Sequence, residues 1–308
     1  MIDLFCGIGG FHMGFKGHAE VVFASDIDKF ARQTYETNHD LEPRGDITKI
    51  KSEDIPDADI LTGGFPCQSF SSIGKRAGFD DDEKGALFFE IIRISKAKKP
   101  KMMLLENVKG LLTHDGGATL ARVLQELNDI GYNVFYKLIN SADFGVPQSR
   151  ERVYFVCFRN DIPRNEFEFP KGSGRVGIGE FIEDDPQGYS ISKHLQDNYL
   201  FKKNDGRPRI VDKNTTNPSN TLVTSYHKIQ RLTGTFVRGG STGIRLFSQA
   251  ECLAQQGFPE DFIIPVSRTQ MYRQLGNSVS VPVVKAIADT MVSALNVERP
   301  TKRARLIE

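Results

Sequence analysis

No uninterrupted apolar run in these 308 residues approaches the ~18 that a membrane-spanning helix requires. The N-terminus, MIDLFCGIGG, has neither a basic region nor a small-residue cleavage site, so no secretory leader is expected. Cysteine is scarce: Cys6, Cys67, Cys157 and Cys252 stand dozens of residues apart, which argues against a disulfide framework and a zinc site built on CxxC pairs. A GxxxxGKS or GxxxxGKT phosphate cradle is absent, the N-terminal glycines fall short of a full GxGxxG, and there is no internal repeat. With 39% hydrophobic and 26% charged residues, disorder and collagen-like composition are excluded. The expectation is a soluble, cytoplasmic protein with one substantial core and a second, smaller domain.

The net charge of +1 hides an asymmetry. Residues 187–246 carry ten Lys or Arg against three Asp, a net +7 that leaves the rest of the chain at −6. Such a segment suits an anionic partner; the bland alternative is a solvated Lys-rich face.

Up to about residue 160, short apolar runs alternate with helical stretches, the pattern of repeated βαβ units on a parallel sheet. Segments 1–6, 21–26, 59–63, 102–106, 132–139 and 153–158 read as strands, most of them apolar nearly throughout, as strands covered on both faces should be. The fold class is therefore α/β, a doubly wound, mostly parallel sheet. After Pro170 the composition shifts to Gly, Asn, Thr and Pro with short β-prone pieces, which predicts a loop-rich second domain over 171–246. Residues 1–170 would form the larger domain, and 247–308 would return to it through helices opened by Ser248 and Pro282.

Several chemistry-bearing residues fall at predicted strand ends. The first strand runs into Phe5-Cys6-Gly7-Ile8-Gly9-Gly10, a turn that lets a nucleotide-like ligand approach the backbone. Asp26 closes the second strand, placed for ribose hydroxyls, and Asp46-Ile47 follows, placed for an adenine amino group. Adenosine without a pyrophosphate fits this set, which makes S-adenosylmethionine the candidate cofactor. The alternative is that these acids only cap strand ends. The loop Gly64-Phe65-Pro66-Cys67-Gln68-Ser69-Phe70-Ser71-Ser72-Ile73-Gly74 places a thiol among polar neighbours above the ligand crevice, a better nucleophile candidate than the other three cysteines. Glu106 ends the next strand, either as an exposed strand-end acid or as a general acid. Gln148-Ser149-Arg150-Glu151-Arg152 then presents two guanidiniums on one side of an extended chain, suited to an anion or a base carbonyl.

In this order and together, DLFCGIGGF, GGFPCQSFS, ENV, QSRER and QLGNSVSVPVV make the chain resemble the bacterial DNA (cytosine-5) methyltransferases, with a Rossmann-like methyltransferase fold. The resemblance covers nearly the whole chain. Only the basic segment lacks a strong match, apart from Thr221-Leu222, which resembles the Thr-Leu dipeptide common in that family's target-recognition domain.

The resemblance implies roles. Cytosine C5 is too weak a nucleophile to take a methyl group directly, so the Cys67 thiolate would add at C6 and push electron density towards C5. Glu106 would contact N3 and the exocyclic amino group, Arg152 would bind O2, and Arg150 would support the developing charge. After methyl transfer, loss of the C5 proton with β-elimination would free the enzyme and leave S-adenosylhomocysteine. The base would be flipped out of duplex DNA to reach the pocket. Phe5, Gly7, Ile8, Gly9, Gly10, Asp26, Ile27, Asp46, Ile47, Pro66, Leu87, Asn277, Ser278 and Val279 would hold the cofactor. The family often carries a larger aromatic where this chain has Ile27, and some members carry a polar side chain where it has Ile73. Gln68, Ser71, Ile73, Thr221 and Arg231 are the candidate DNA contacts, and no metal is implied. The partner would be duplex DNA, the enzyme a nucleoid-associated monomer, and a cognate restriction endonuclease would act separately. A transfer-RNA cytosine-5 methyltransferase and a catalytically silent nucleic-acid-binding relative share parts of the pattern; the basic segment and Phe70-Ser71 favour DNA.

Overall fold

The computed structural model describes residues 1–65 and 86–295. Its large sheet comprises β1 (Ile2–Leu4), β2 (Phe23–Ser25), β3 (Ile60–Gly64), β4 (Met102–Val108), β5 (Tyr132–Asn140) and β6 (Glu151–Arg159), in the order β2-β1-β3-β4-β6-β5. A small sheet follows the order β7 (Arg209–Val211), β8 (Thr235–Arg238), β9 (Ile244–Arg245). The helices are α1 (Gly10–Gly14), α2 (Lys29–His39), α3 (Ala86–Lys98), α4 (Ala118–Asp129), α5 (Lys193–Leu195), α6 (Gln249–Gln256), α7 (Arg268–Asn277) and α8 (Val281–Leu295).

The doubly wound, mostly parallel sheet read from the sequence is present. β1 pairs parallel with β2 and β3, and β3 pairs parallel with β4. β6 runs antiparallel to both β4 and β5. Strand direction is silent in the sequence because a strand buried on both faces is apolar throughout, whichever way it runs.

Side chains alternate across the sheet and sort the core into two faces. Met102, Leu104, Tyr154, Val156 and Phe158 pack with Phe11 of α1 and with Val283, Val284, Ile287 and Met291 of α8. Their neighbours Met103, Leu105, Val153, Phe155 and Cys157 pack with Phe88 and Ile91 of α3 and Val123 and Leu127 of α4. The contact between α1 and α8 is close: a Cβ at Gly14 would lie 2.3 Å from Val284 Cγ1.

Arg268–Leu295 is long and apolar enough to pass as a membrane span, with a mean hydropathy of 1.4, but half of that window is buried inside the fold. Extended Ser278 separates α7 from α8, and the apolar face of α8 lies in the core.

A second core gathers Phe236, Val237 and Ile244 of the small sheet with Cys252 and Leu253 of α6 and Met271, Tyr272 and Leu275 of α7. α6 begins with a capping box in which Ser248 and Glu251 satisfy each other's backbone N–H groups. Glu251 also accepts two hydrogen bonds from Arg245, at 2.7 and 2.8 Å, and both side chains are fully buried. Each member neutralises a charge that would be costly alone, so the pair fixes β9 against α6.

Candidate active site

At the carboxyl end of β1 the chain turns sharply: Phe5 and Gly7 have φ of 54° and 56°. Gly7 donates its N–H to Asp26 Oδ2 at 2.9 Å, and Asp28 donates to Asp26 Oδ1 at 2.8 Å, so the acid at the end of β2 anchors the loop. Burial raises the Asp26 pKa, against the pull of these two N–H groups. Asp28 caps α2 by accepting from Phe30 N. The segment after α7 closes the loop from the other side, since a Cβ at Gly10 would meet Val279 Cγ2 at 2.6 Å and Ser278 Oγ at 3.0 Å. Residues more than 260 positions apart in sequence thus share one surface, with the small size of Gly10 permitting it.

The same cavity, of about 320 Å³, continues along the sheet edge to β4 and β6. Phe5, Gly7, Ile8, Gly10, Asp26, Asn277, Ser278 and Val279 line one end, and Glu106, Arg150 and Arg152 line the other. Arg152 Nε lies 3.0 Å from Glu106 Oε1. Burial pushes the Glu106 pKa up, although the charges of Arg152 and Arg150 work against it. Gly64 faces Glu106 in the β3–β4 ladder, and a Cβ there would lie 3.5 Å from Glu106 Oε2. Arg150 is buried, and burial together with the charge of Arg152 brings its pKa down to about 10, so it stays cationic at neutral pH.

Five of the candidate cofactor residues in the described region do not line this cavity. Gly9 packs on the His39 ring, and Ile27 is 76% exposed. The Asp46 carboxylate accepts from Thr48 N and Oγ1, capping the short turn that follows, while Ile47 is buried in the core and Leu87 packs against it. Pro66, Cys67, Gln68, Ser71 and Ile73 lie outside the described residues. Cys6, Cys157 and Cys252 are buried, and burial raises the pKa of each thiol.

Asp28, Phe11, Asn107, Arg273 and Gln274 line the cavity without having been singled out from the sequence. For Phe11, Asn107 and Gln274 the signal was available, since all three sit inside the sequence motifs DLFCGIGGF, ENV and QLGNSVSVPVV. Asn107 Nδ2 donates to Phe65 O at 2.8 Å, tying β4 to the residue two positions before Cys67 in sequence. Gln274 bridges to α2, donating to Phe30 O at 2.8 Å and accepting from Thr34 Oγ1 at 3.0 Å.

The two DNA candidates in the basic segment are otherwise engaged. Thr221 Oγ1 donates to Ser149 O at 2.8 Å. Arg231 is buried and turned inwards, donating to Leu200 O at 2.9 Å, to Lys203 O at 3.0 Å and to Asp205. Its charge holds a loop together, a correction to its expected place among the DNA contacts. Arg245, Lys213 and Arg238 likewise face Glu251, Asp184 and Asp212. Among the described residues, Lys193, Lys202, Lys203, Arg207, Arg209 and Lys228 form no ion pair, so the usable charge is six cations.

An α/β sheet edge that carries a nucleoside-sized cradle at one end and a carboxylate with two guanidiniums at the other defines a Rossmann-like group-transfer enzyme. The family model for C-5 cytosine-specific DNA methylases matches residues 1–293, and the chain belongs to that family. It is 56% identical over 297 residues to the Type II methyltransferase M.BsuFI of Bacillus subtilis, a match covering 96% of this chain and 72% of the relative. It is 54% identical to the Type II methyltransferase M.MspI of a Moraxella species, over 96% of this chain and 70% of the relative. Among solved structures, a DNMT2 mutant from Spodoptera frugiperda superposes with a TM-score of 0.76 at 25% identity, covering 94% of this chain and 98% of that one.

Proposed function

We propose that this enzyme methylates C5 of a cytosine flipped out of a specific duplex DNA sequence, with Cys67 as nucleophile and S-adenosylmethionine as methyl donor. One observation carries the reading: a single cavity joins the Phe5–Gly10 loop and Asp26 to Glu106, Arg150 and Arg152.

The cradle fits the cofactor. Asp26 keeps lone pairs for ribose hydroxyls beyond its two backbone bonds, and Gly10 lacks the side chain that would displace Val279 and Ser278. Phe5, Gly7, Ile8, Asn277, Ser278 and Val279 complete the holding set. Bound S-adenosylmethionine supplies an electrophilic methyl group.

This chain's residues do the rest. The Cys67 thiolate adds at cytosine C6. Glu106, whose proton is favoured by burial, holds it at N3 while charge accumulates on the ring. Arg152 orients that carboxyl and binds O2, and Arg150 keeps the pocket positive. Residues 1–170 form the catalytic and cofactor-binding part, 171–246 recognise the target, and 247–308 return to close the cofactor site. The six unpaired cations support duplex DNA as partner, and the Type II relatives support a place in a restriction-modification pair, with the endonuclease separate and this enzyme a cytoplasmic monomer.

Duplex DNA carrying 5-fluorocytosine at the target tests the mechanism, because fluorine does not leave as the C5 proton does. The wild type should form a covalent adduct. Cys67→Ala should form none and lose methyl transfer while still binding S-adenosylmethionine; full activity in that variant would overturn the mechanism.

A further inference from the structure

Gln148 is completely buried just before β6, and its amide connects three separate stretches of chain. Oε1 accepts from Leu222 N at 2.6 Å, and Nε2 donates to Gln255 O at 2.8 Å, at the end of α6. The orientation is forced, since a backbone N–H can only donate and a carbonyl can only accept. Ser219 reinforces the junction: its backbone exchanges hydrogen bonds with Pro147 O and Ser149 N, both at 2.8 Å, and its hydroxyl donates to Gln255 Oε1 at 2.9 Å.

Arg150 depends on this junction. Its Nη1 reaches Leu222 O at 3.5 Å, and its buried Nε has no acceptor among the described residues. Leu222 is therefore gripped by Gln148 at its N–H and faces Arg150 at its carbonyl, one Cα away. A buried guanidinium with so few partners follows the carbonyl that steers it.

We propose that Gln148 is a positioning residue that couples the seating of the 219–222 segment on DNA to the placement of Arg150 in the cavity, so that methyl transfer is fast only at the correct sequence. This rests on the proposed function, in which 171–246 read the target. DNA that seats the segment correctly holds Leu222, and through it Arg150, in the productive position; a wrong base pair shifts the segment and withdraws Arg150.

The test uses the full chain with S-adenosylmethionine, on the duplex whose methylated cytosine has been located by sequencing and on duplexes with one base pair changed. Gln148→Met keeps the volume and loses both hydrogen bonds. Its single-turnover rate on the correct duplex should fall by about tenfold or more, with S-adenosylmethionine affinity unchanged. The decisive readout is the ratio of correct to altered duplex, which should also fall by about tenfold. A purely structural role lowers both rates together and leaves the ratio intact, which would overturn the proposal. Gln148→Glu keeps the acceptor for Leu222 N and, in the protonated form that burial favours, a donor for Gln255 O, so it should hold the ratio near the wild-type value, whether or not Gln148→Met folds; a ratio lost there would also overturn it. A wild-type protein that methylates no duplex would strike down the proposed function instead.

Discussion

Arg152 at the start of β6 meets Glu106 near the end of β4, with 3.0 Å between Nε and Oε1. The reversal of β6 makes this contact possible: Val108 pairs with Arg152 and Glu106 with Tyr154, so the first residues of one strand lie beside the last of the other. In a parallel arrangement the start of β6 would lie at the opposite edge of the sheet, away from the cofactor loop. One antiparallel strand thus delivers both guanidiniums to the edge where the cavity opens.

Glu106→Gln should lower methyl transfer by about 10²–10⁴-fold while leaving S-adenosylmethionine affinity unchanged by calorimetry. A carboxyl that acts while protonated loses activity as pH rises through its pKa, here raised by burial. Arg152→Gln removes a charge that opposes that rise, so the falling limb of the kcat/KM profile should move to higher pH. A limb that stayed in place would disconnect Arg152 from Glu106.

Gly10→Ala sets helix propensity against packing. Alanine at the first position of α1 is favoured locally by up to about 1 kcal/mol. The new Cβ, however, would lie 2.6 Å from Val279 Cγ2, and Val279 is too short to swing aside. The Kd for S-adenosylmethionine should rise by about tenfold or more, with the thermal midpoint little changed. Unchanged affinity would mean that the segment after α7 does not help to hold the cofactor.

Replacing Lys202 and Lys203 together by Gln should reduce the slope of log K against log salt by about 2, as expected if each neutralises one DNA phosphate. Arg231→Gln should leave that slope alone and lower stability, because its guanidinium holds Asp205 and two carbonyls. A slope reduced by Arg231→Gln and not by the lysine pair would reverse this assignment.

Buried Asp3 accepts from Thr62 Oγ1 at 2.8 Å, and its Oδ2 has no hydrogen-bond partner among the described residues. Burial raises its pKa from 3.8 to about 7. Between these values the folded state holds a proton that the unfolded chain has released, so this contribution favours folding at the acid end and is lost as pH rises towards 7. Asp3→Asn should flatten the fall in stability between about pH 4 and pH 7, measured by urea denaturation; an unchanged slope would place the titration elsewhere.

The large sheet was legible because strands covered on both faces need apolar residues almost throughout, as β3, β4 and most of β6 have them, whereas the edge strand β5, with Asn133 and Lys137 exposed, was marked by its Val, Phe, Leu and Ile. β7 to β9 are two to four residues long and stand among Gly, Asn, Thr and Pro, without the alternation of strand and helix that marks β1 and β2. The location of the site was legible for a related reason: residues at the ends of parallel strands share an edge, so Phe5, Asp26 and Glu106 fall together. Side-chain direction was not. Ile27 follows a strand-end acid yet faces solvent, and Arg231 sits in a basic segment yet turns inwards. Both outcomes are decided by tertiary neighbours that no local spacing encodes. The partners of Asn107 and Gln148 were hidden because they are backbone atoms, whose availability depends on the whole fold.

The contact between Gly14 and Val284 also sets a timetable for synthesis. At about 5–20 residues per second, a ribosome takes roughly 14 to 54 s to travel from one to the other. Until α8 emerges, Phe11 and one face of the sheet lack the cover that Val283, Val284, Ile287 and Met291 supply. The nascent chain therefore carries exposed apolar surface over that interval, a condition that favours misassociation. A chain without residues 277–279 lacks the segment that closes the Phe5–Gly10 loop, so the cavity is assembled only after they are made.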